Sequence, residues 1–332
     1  MRHLSLLSLG VLSAALLSGC QQPSATAPGA PRGEQAMRHL RYLNDTIGTR
    51  VQGTAAEDQA RAYIAAQLRD MGYQPQVQPF EITRKNKAGE TRQVKSANVM
   101  AVQPGKSEQE IVVVAHLDSV AAGLGADDNA SGVGVLLEAA QALHGQQLPY
   151  TVRFLAVGAE EGYSDGVQNG FRNDGINGSS FYVGQLSPEA LHKTLFVVNL
   201  DSLAAGDFLN VYGSEGADGY VRDAALQLGQ RLGYDLQTSP GLADEFPAGS
   251  TGDWSDHAPF AAKGIPYAYF EATNWSLGDK DGYTQTVKHG GIWHTAKDNL
   301  AFLNREFPGR TEAHLKAFSD VLIHLLEAPP TR

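Results

Sequence analysis

Three short apolar runs in this 332-residue chain each end in ionisable side chains: IVVVAHLD in His116 and Asp118, TVRFLAVGAEE in Glu160 and Glu161, LFVVNLD in Asp201. Two further segments extend the set. GADDNASGVG carries Asp127 and Asp128, the latter twelve residues beyond His116, and GIWHTAKDN carries His294 between Trp293 and Thr295. Imidazoles and carboxylates without thiolates suit Zn²⁺ at a catalytic, incompletely filled site, and one carboxylate can bridge two ions ~3.5–4 Å apart. Magnesium suits a pair of histidines less well. Taken singly, each piece has an ordinary explanation. Asp, Asn and Ser are favoured helix caps, and a His beside an aromatic residue is usually packed or hydrogen-bonded. Brought together, they place more carboxylates in one crevice than a protein tolerates without cations.

The three runs must therefore end side by side. Each is short, continuous and rich in β-branched or aromatic residues, the pattern of a strand buried on both faces of a mostly parallel sheet. In open α/β sheets ligands bind beyond the carboxyl ends of such strands. Helical spacing recurs over residues 37–47, 55–71, 132–144, 216–232 and 311–326, and QPQVQPFEIT with RQVKSANVMAVQ predicts a strand hairpin. The expectation is an α/β fold: a single globular domain over 34–332, with a mostly parallel central sheet flanked by helices. The loop-rich stretches 162–180 and 237–256 are expected to shape a substrate site rather than to mark domain boundaries.

The chain opens with Arg2 and an apolar, small-residue run from Leu4 to Leu17. That run falls short of the ~20 residues of a bilayer-crossing helix and ends in small residues, so residues 1–19 read as an export signal. Leu17, Ser18, Gly19 and Cys20 resemble a bacterial lipobox, in which Cys20 becomes the lipid-modified first residue of the mature chain. Cys20 is the single cysteine, which excludes intramolecular disulfides. Residues 20–33, Pro-rich and nearly uncharged, then form a flexible tether. The expected location is the cell envelope, as a lipoprotein facing the periplasm or the exterior. A net charge of −10 with no basic run excludes nucleic acid as a partner class and is compatible with cationic substrates or divalent metal ions.

In order and spacing, these residues resemble the M28 family of zinc peptidases, whose pattern is H-x-D, a D-D/N-x-x-S-G segment, E-E, a lone D and a late H. The likeness extends through SDHAPFAAKGIPY at 255–267 and runs from about residue 35 to the C-terminus. It implies a zinc-exopeptidase (phosphorylase/hydrolase-like) fold with two zinc ions, one held by His116 and Asp201, the other by Glu161 and His294, with Asp128 bridging both. It further implies Glu160 as general base and Asp118 as a group that orients His116. Asp127, Asp256 and His257 fall outside this ligand set. A narrower likeness to one bacterial aminopeptidase of the family runs through EATNWSLGDKDGY (271–283), the PGL at 240–242 and the PGR at 308–310. It implies removal of N-terminal residues, basic ones included, from peptides or exported proteins, with Glu271 or an acidic residue in 279–281 facing the substrate. One departure concerns Trp293. Several family aminopeptidases place Tyr before the late His, so an indole, a nearby Tyr283 or zinc alone is left to polarise the carbonyl. The same fold serves glutaminyl cyclases and non-catalytic binding modules, but the complete ligand set and Glu160 argue for hydrolysis.

Overall fold

The computed structural model describes residues 31–85, 90–162, 175–242 and 245–332. The expected export signal, Cys20 and most of the tether lie outside these residues, as does much of the 162–180 loop. Helix α1 (Glu34–Arg41) leads through a wider turn at Tyr42–Ile47 into α2 (Ala55–Asp70), where the Thr54 hydroxyl accepts the Glu57 N–H as a cap. Strands β1 (Gln76–Lys85) and β2 (Thr91–Gln103) form the predicted hairpin. There follow β3 (Gly105–His116), α3 (Gly132–Leu143), β4 (Leu148–Val157), α4 (Asn177–Gly184), α5 (Pro188–Lys193), β5 (Thr194–Leu200) and β6 (Phe208–Gly213). The chain ends with α6 (Tyr220–Leu232), β7 (Leu236–Gln237), α7 (Ala258–Ala261), β8 (Tyr267–Thr273), α8 (Leu300–Glu306) and α9 (Arg310–Glu327).

One eight-stranded sheet runs in the order β1-β2-β4-β3-β5-β8-β6-β7. Its centre, β4-β3-β5-β8, is parallel, and antiparallel pairings of β2 with β4 and of β6 with β8 extend it on either side. The central runs are apolar throughout because both faces are covered. Ile111, Val113 and Ala115 pack in the larger core with residues of α1, α2, α3, α6 and α9, while Val112 and Val114 pack in the smaller core with Tyr182, Val183 and Phe260. Each fully buried Val or Ile contributes about 1.5–3 kcal/mol by leaving water, so the register of β3 between its neighbours is strongly specified. That register brings the carboxyl ends of β3, β4 and β5 together, where the sequence places its ionisable residues. Among the described residues no helix is long and apolar enough to cross a membrane.

Candidate metal centre

His116 ends β3, Asp201 directly follows β5, and Glu160 and Glu161 lie three and four residues past the end of β4. Asp128 comes from the turn that leads into α3, and His294 from the loop before α8. These residues converge. His116 Nε2 lies 3.0 Å from Asp128 Oδ1 and 3.2 Å from Asp201 Oδ1, while His294 Nε2 lies 3.3 Å from Asp128 Oδ2 and 2.9 Å from Glu161 Oε2. Asp128 thus presents one oxygen to each histidine. The set divides into two triads that share it, His116–Asp128–Asp201 and His294–Asp128–Glu161.

The donor chemistry fits zinc. Tetrahedral Zn–N and Zn–O bonds of ~2.0–2.2 Å set neighbouring donors a little over 3 Å apart, close to the spacing within each triad. Glu161 Oε1 is buried without a hydrogen-bond partner among the described residues, and donor atoms of His116, Asp128 and Glu161 lie within 4.8 Å of one another. Electrostatics point the same way. Burial and Asp128 push the Glu161 carboxyl up to about 8, and hydrogen bonds to Asp128 and Glu161 raise His294 to about 11. Burial opposes a charged His116, yet Asp201, Glu160, Asp118 and Asp128 outweigh it and lift its pKa well above the ordinary value. A cluster that draws protons this strongly needs positive charge, and dications compete with protons for the same atoms.

Asp118 is wholly buried; its Oδ1 and Oδ2 accept the Glu160 and Glu161 N–H groups at 3.0 and 3.1 Å, and Oδ1 lies 3.7 Å from His116 Nδ1. It therefore ties the β3 end to the Glu160–Glu161 turn. Glu160 itself is buried, and burial with the charges of Glu161, Asp256 and Asp201 holds its carboxyl well above the usual range, against the opposing pull of His116. The His294 side chain is 45% exposed where that of His116 is 1%, so the cleft opens on the His294 side. Ala159, Ser202 and His294 adopt positive φ of 56°, 54° and 53°. Backbone outliers of this kind, beside Glu160 and Asp201 and at His294 itself, are the conformations that cluster at functional sites.

Several supporting residues escaped the sequence reading. Asp298 accepts the N–H groups of Asp127 and Asp128 at 2.7 and 3.2 Å. Asp127, outside the expected ligand set, accepts the N–H groups of Ala204 and Ala205 at 2.7 and 2.9 Å on Oδ1 and Gln285 Nε2 at 2.6 Å on Oδ2. Gln285 Oε1 in turn accepts the Ile292 and Trp293 N–H groups, both at 2.9 Å, directly before His294. Ser255 Oγ donates to Asp201 Oδ2 at 2.7 Å, and Asp256 accepts from Ser179 Oγ at 2.5 Å. His257 packs against the rings of Tyr267 and Tyr269. Glu271 is buried, with hydroxyl donors Tyr212 and Tyr269 at 2.6 and 3.3 Å, and burial raises its carboxyl to about 8; Asp279 is exposed. Trp293 Nε1 is buried and unpartnered among the described residues, whereas Tyr283 is 59% exposed.

Comparison with known proteins agrees with this geometry. Residues 98–319 match the model of peptidase family M28. The chain is 32% identical to the alkaline phosphatase isozyme conversion protein of Escherichia coli (strain K12), over 89% of this chain and 90% of that one. It is 30% identical to aminopeptidase YwaD of Bacillus subtilis (strain 168), over 64% of this chain and 41% of that one. Among solved structures, BSAP, a zinc aminopeptidase from Bacillus subtilis, superposes with a TM-score of 0.69 at 20% identity, covering 91% of this chain and 97% of that one. A glutaminyl cyclase from Porphyromonas gingivalis superposes at 0.67 and 23% identity, covering 89% and 97%. These two share the fold. The family match over two-thirds of the chain, together with a relative of nearly the same extent, establishes that this protein belongs to peptidase family M28.

Proposed function

We propose that the chain is an aminopeptidase that removes N-terminal residues from peptides or exported proteins, with two zinc ions held by the triads that share Asp128. The observation that carries the reading is Asp128 set between His116 and His294, with Glu160 beside the cluster. Bound zinc would polarise the scissile carbonyl and acidify a water. His116, Asp128 and Asp201 would hold one ion; His294, Asp128 and Glu161 the other. Glu160 takes the proton of the attacking water and hands it to the leaving amine. Asp118 keeps the Glu160 backbone against the β3 end, which fixes where that carboxyl can reach. Likeness to an aminopeptidase over 64% of the chain supports action at a free N-terminus.

The leader and the lone cysteine support an envelope lipoprotein anchored through Cys20, which would hold the domain near exported substrates. The first test is release of chromophore from a panel of aminoacyl substrates, before and after chelation and zinc add-back. Release that chelation abolishes and zinc restores is the expected result. Cyclisation of N-terminal Gln without peptide-bond cleavage would overturn the reading.

A further inference from the structure

Arg50 is fully buried, forms no ion pair among the described residues, and spends its guanidinium on backbone oxygens. Nε donates to Leu117 O at 2.9 Å. Nη1 donates to Gly48 O at 2.8 Å and Leu124 O at 2.7 Å, with Leu43 O at 3.4 Å, and Nη2 donates to Gly125 O at 2.8 Å. The Arg50 backbone joins the same strand end: its N–H donates to Ser119 Oγ at 3.0 Å and its carbonyl accepts the Ser119 N–H at 3.2 Å. One residue thus grips both ends of the segment 117–125, which carries Asp118 and joins His116 to Asp127 and Asp128. The approach is close enough to dictate a neighbour. Gly125 has φ +62°, and a Cβ there would meet Arg50 Nη2 at 2.7 Å and Asp128 O at 2.6 Å.

We infer that Arg50 is a positioning residue for the metal centre, holding the segments that carry His116 and Asp128 at the spacing a shared cation pair requires. Only a planar fork of five N–H donors can serve carbonyls arriving from three directions. Burying that charge is tolerable because carbonyl dipoles surround it and the nearby carboxylates of Asp298, Asp118, Asp128 and Glu161 stabilise it. Lysine keeps the charge but cannot span Leu117, Leu124 and Gly125 together. The residue touches no substrate, so its effect is on how tightly zinc is held rather than on the chemical step.

This inference rests on the zinc reading above, and the experiment separates the two. Zinc affinity of the full chain is measured by competition with a chromogenic chelator for wild type and Arg50→Lys, alongside circular dichroism and melting of the metal-free forms. The expected result is a folded variant whose zinc affinity is roughly 10–100-fold weaker, with kcat restored to within a few-fold and KM unchanged at saturating zinc. A folded Arg50→Lys protein with wild-type zinc affinity overturns the inference; wild-type protein that binds no zinc overturns the metal reading instead. If Arg50→Lys does not fold, Ser119→Ala decides, since it removes one hydroxyl from the same grip and leaves the guanidinium in place. It is expected to weaken zinc about 2–10-fold, and wild-type affinity there overturns the inference.

Discussion

The link from Asp127 to His294 allows a prediction in which two substitutions cancel. Asp127 receives two backbone N–H groups on Oδ1 and Gln285 Nε2 on Oδ2, while Gln285 Oε1 receives the Ile292 and Trp293 N–H groups. In Asp127→Asn the new amide keeps Oδ1 toward Ala204 and Ala205, which turns its NH₂ against the NH₂ of Gln285. If Gln285 rotates to relieve that clash, Ile292 and Trp293 lose their acceptor. Both residues are completely buried, so water cannot repair either outcome. Loss of one charge-assisted bond plus an unsatisfied donor costs about 2–4 kcal/mol, a drop of roughly 3–6 °C in Tm for a domain of this size. Gln285→Glu alone sets two buried carboxylates together and costs at least as much. The double variant Asp127→Asn/Gln285→Glu pairs the Asn NH₂ with one Glu oxygen and leaves the other for Ile292 and Trp293, so every donor finds an acceptor. Metal-free melting curves and zinc competition should therefore show each single variant destabilised, with weakened zinc at the His294 side, and the double variant recovering most of both losses. Additive losses in the double variant would refute the assigned hydrogen-bond directions.

Glu160→Gln should retain zinc and lose kcat by about 10²–10⁴; full turnover would remove Glu160 as the base. His294→Ala should lower bound zinc by one ion per chain, measured by elemental analysis after dialysis, and unchanged stoichiometry would place that ion elsewhere. His257 is wholly buried, and burial lowers its pKa from 6.5 to about 3. The folded state therefore holds fewer protons than the unfolded chain between pH 6.5 and 3, and this contribution to stability is present above 6.5 and lost as pH falls. Relative to wild type, metal-free His257→Phe should gain stability on acidification from pH 6.5 to 4, by at most about 1.4 kcal/mol per pH unit. Parallel curves for the two proteins would mean that His257 titrates normally.

How much was legible in the sequence depended on what each residue acts upon. The strands that end in ligands were legible because burial on both faces forces a continuous apolar run, and an ionisable residue at the end of such a run has no role in the core. Strand β6 was missed because FLNVYG is short and carries a polar Asn in mid-run, and β8 because YAYFEAT, though wholly buried, places Glu271 inside the strand. The predicted helix over 216–232 begins as a short 3-10 turn, with α6 proper starting at Tyr220. The mostly parallel sheet that the buried runs predict is found at its centre, and β2 and β6 join it by antiparallel pairings on either side, where they need no crossover helix to reach their partners.

Arg50, Gln285 and Asp298 were not legible for a different reason. A metal ligand is constrained in side-chain type, so His, Asp and Glu at strand ends stand out against an apolar background. A residue that positions the site here bonds to carbonyl oxygens or amide hydrogens, which every residue possesses, and Asp298 reaches its partners across 170 positions of sequence. Nothing in the composition of the partner segment announces the bond. The one local trace is glycine where the guanidinium must pass, as at Gly125, whose positive φ and crowding by Arg50 and Asp128 leave no room for a Cβ. Ligand sets can therefore be read from residue type and order, whereas the residues that hold the ligands in register emerge only once the backbone they bind is in place.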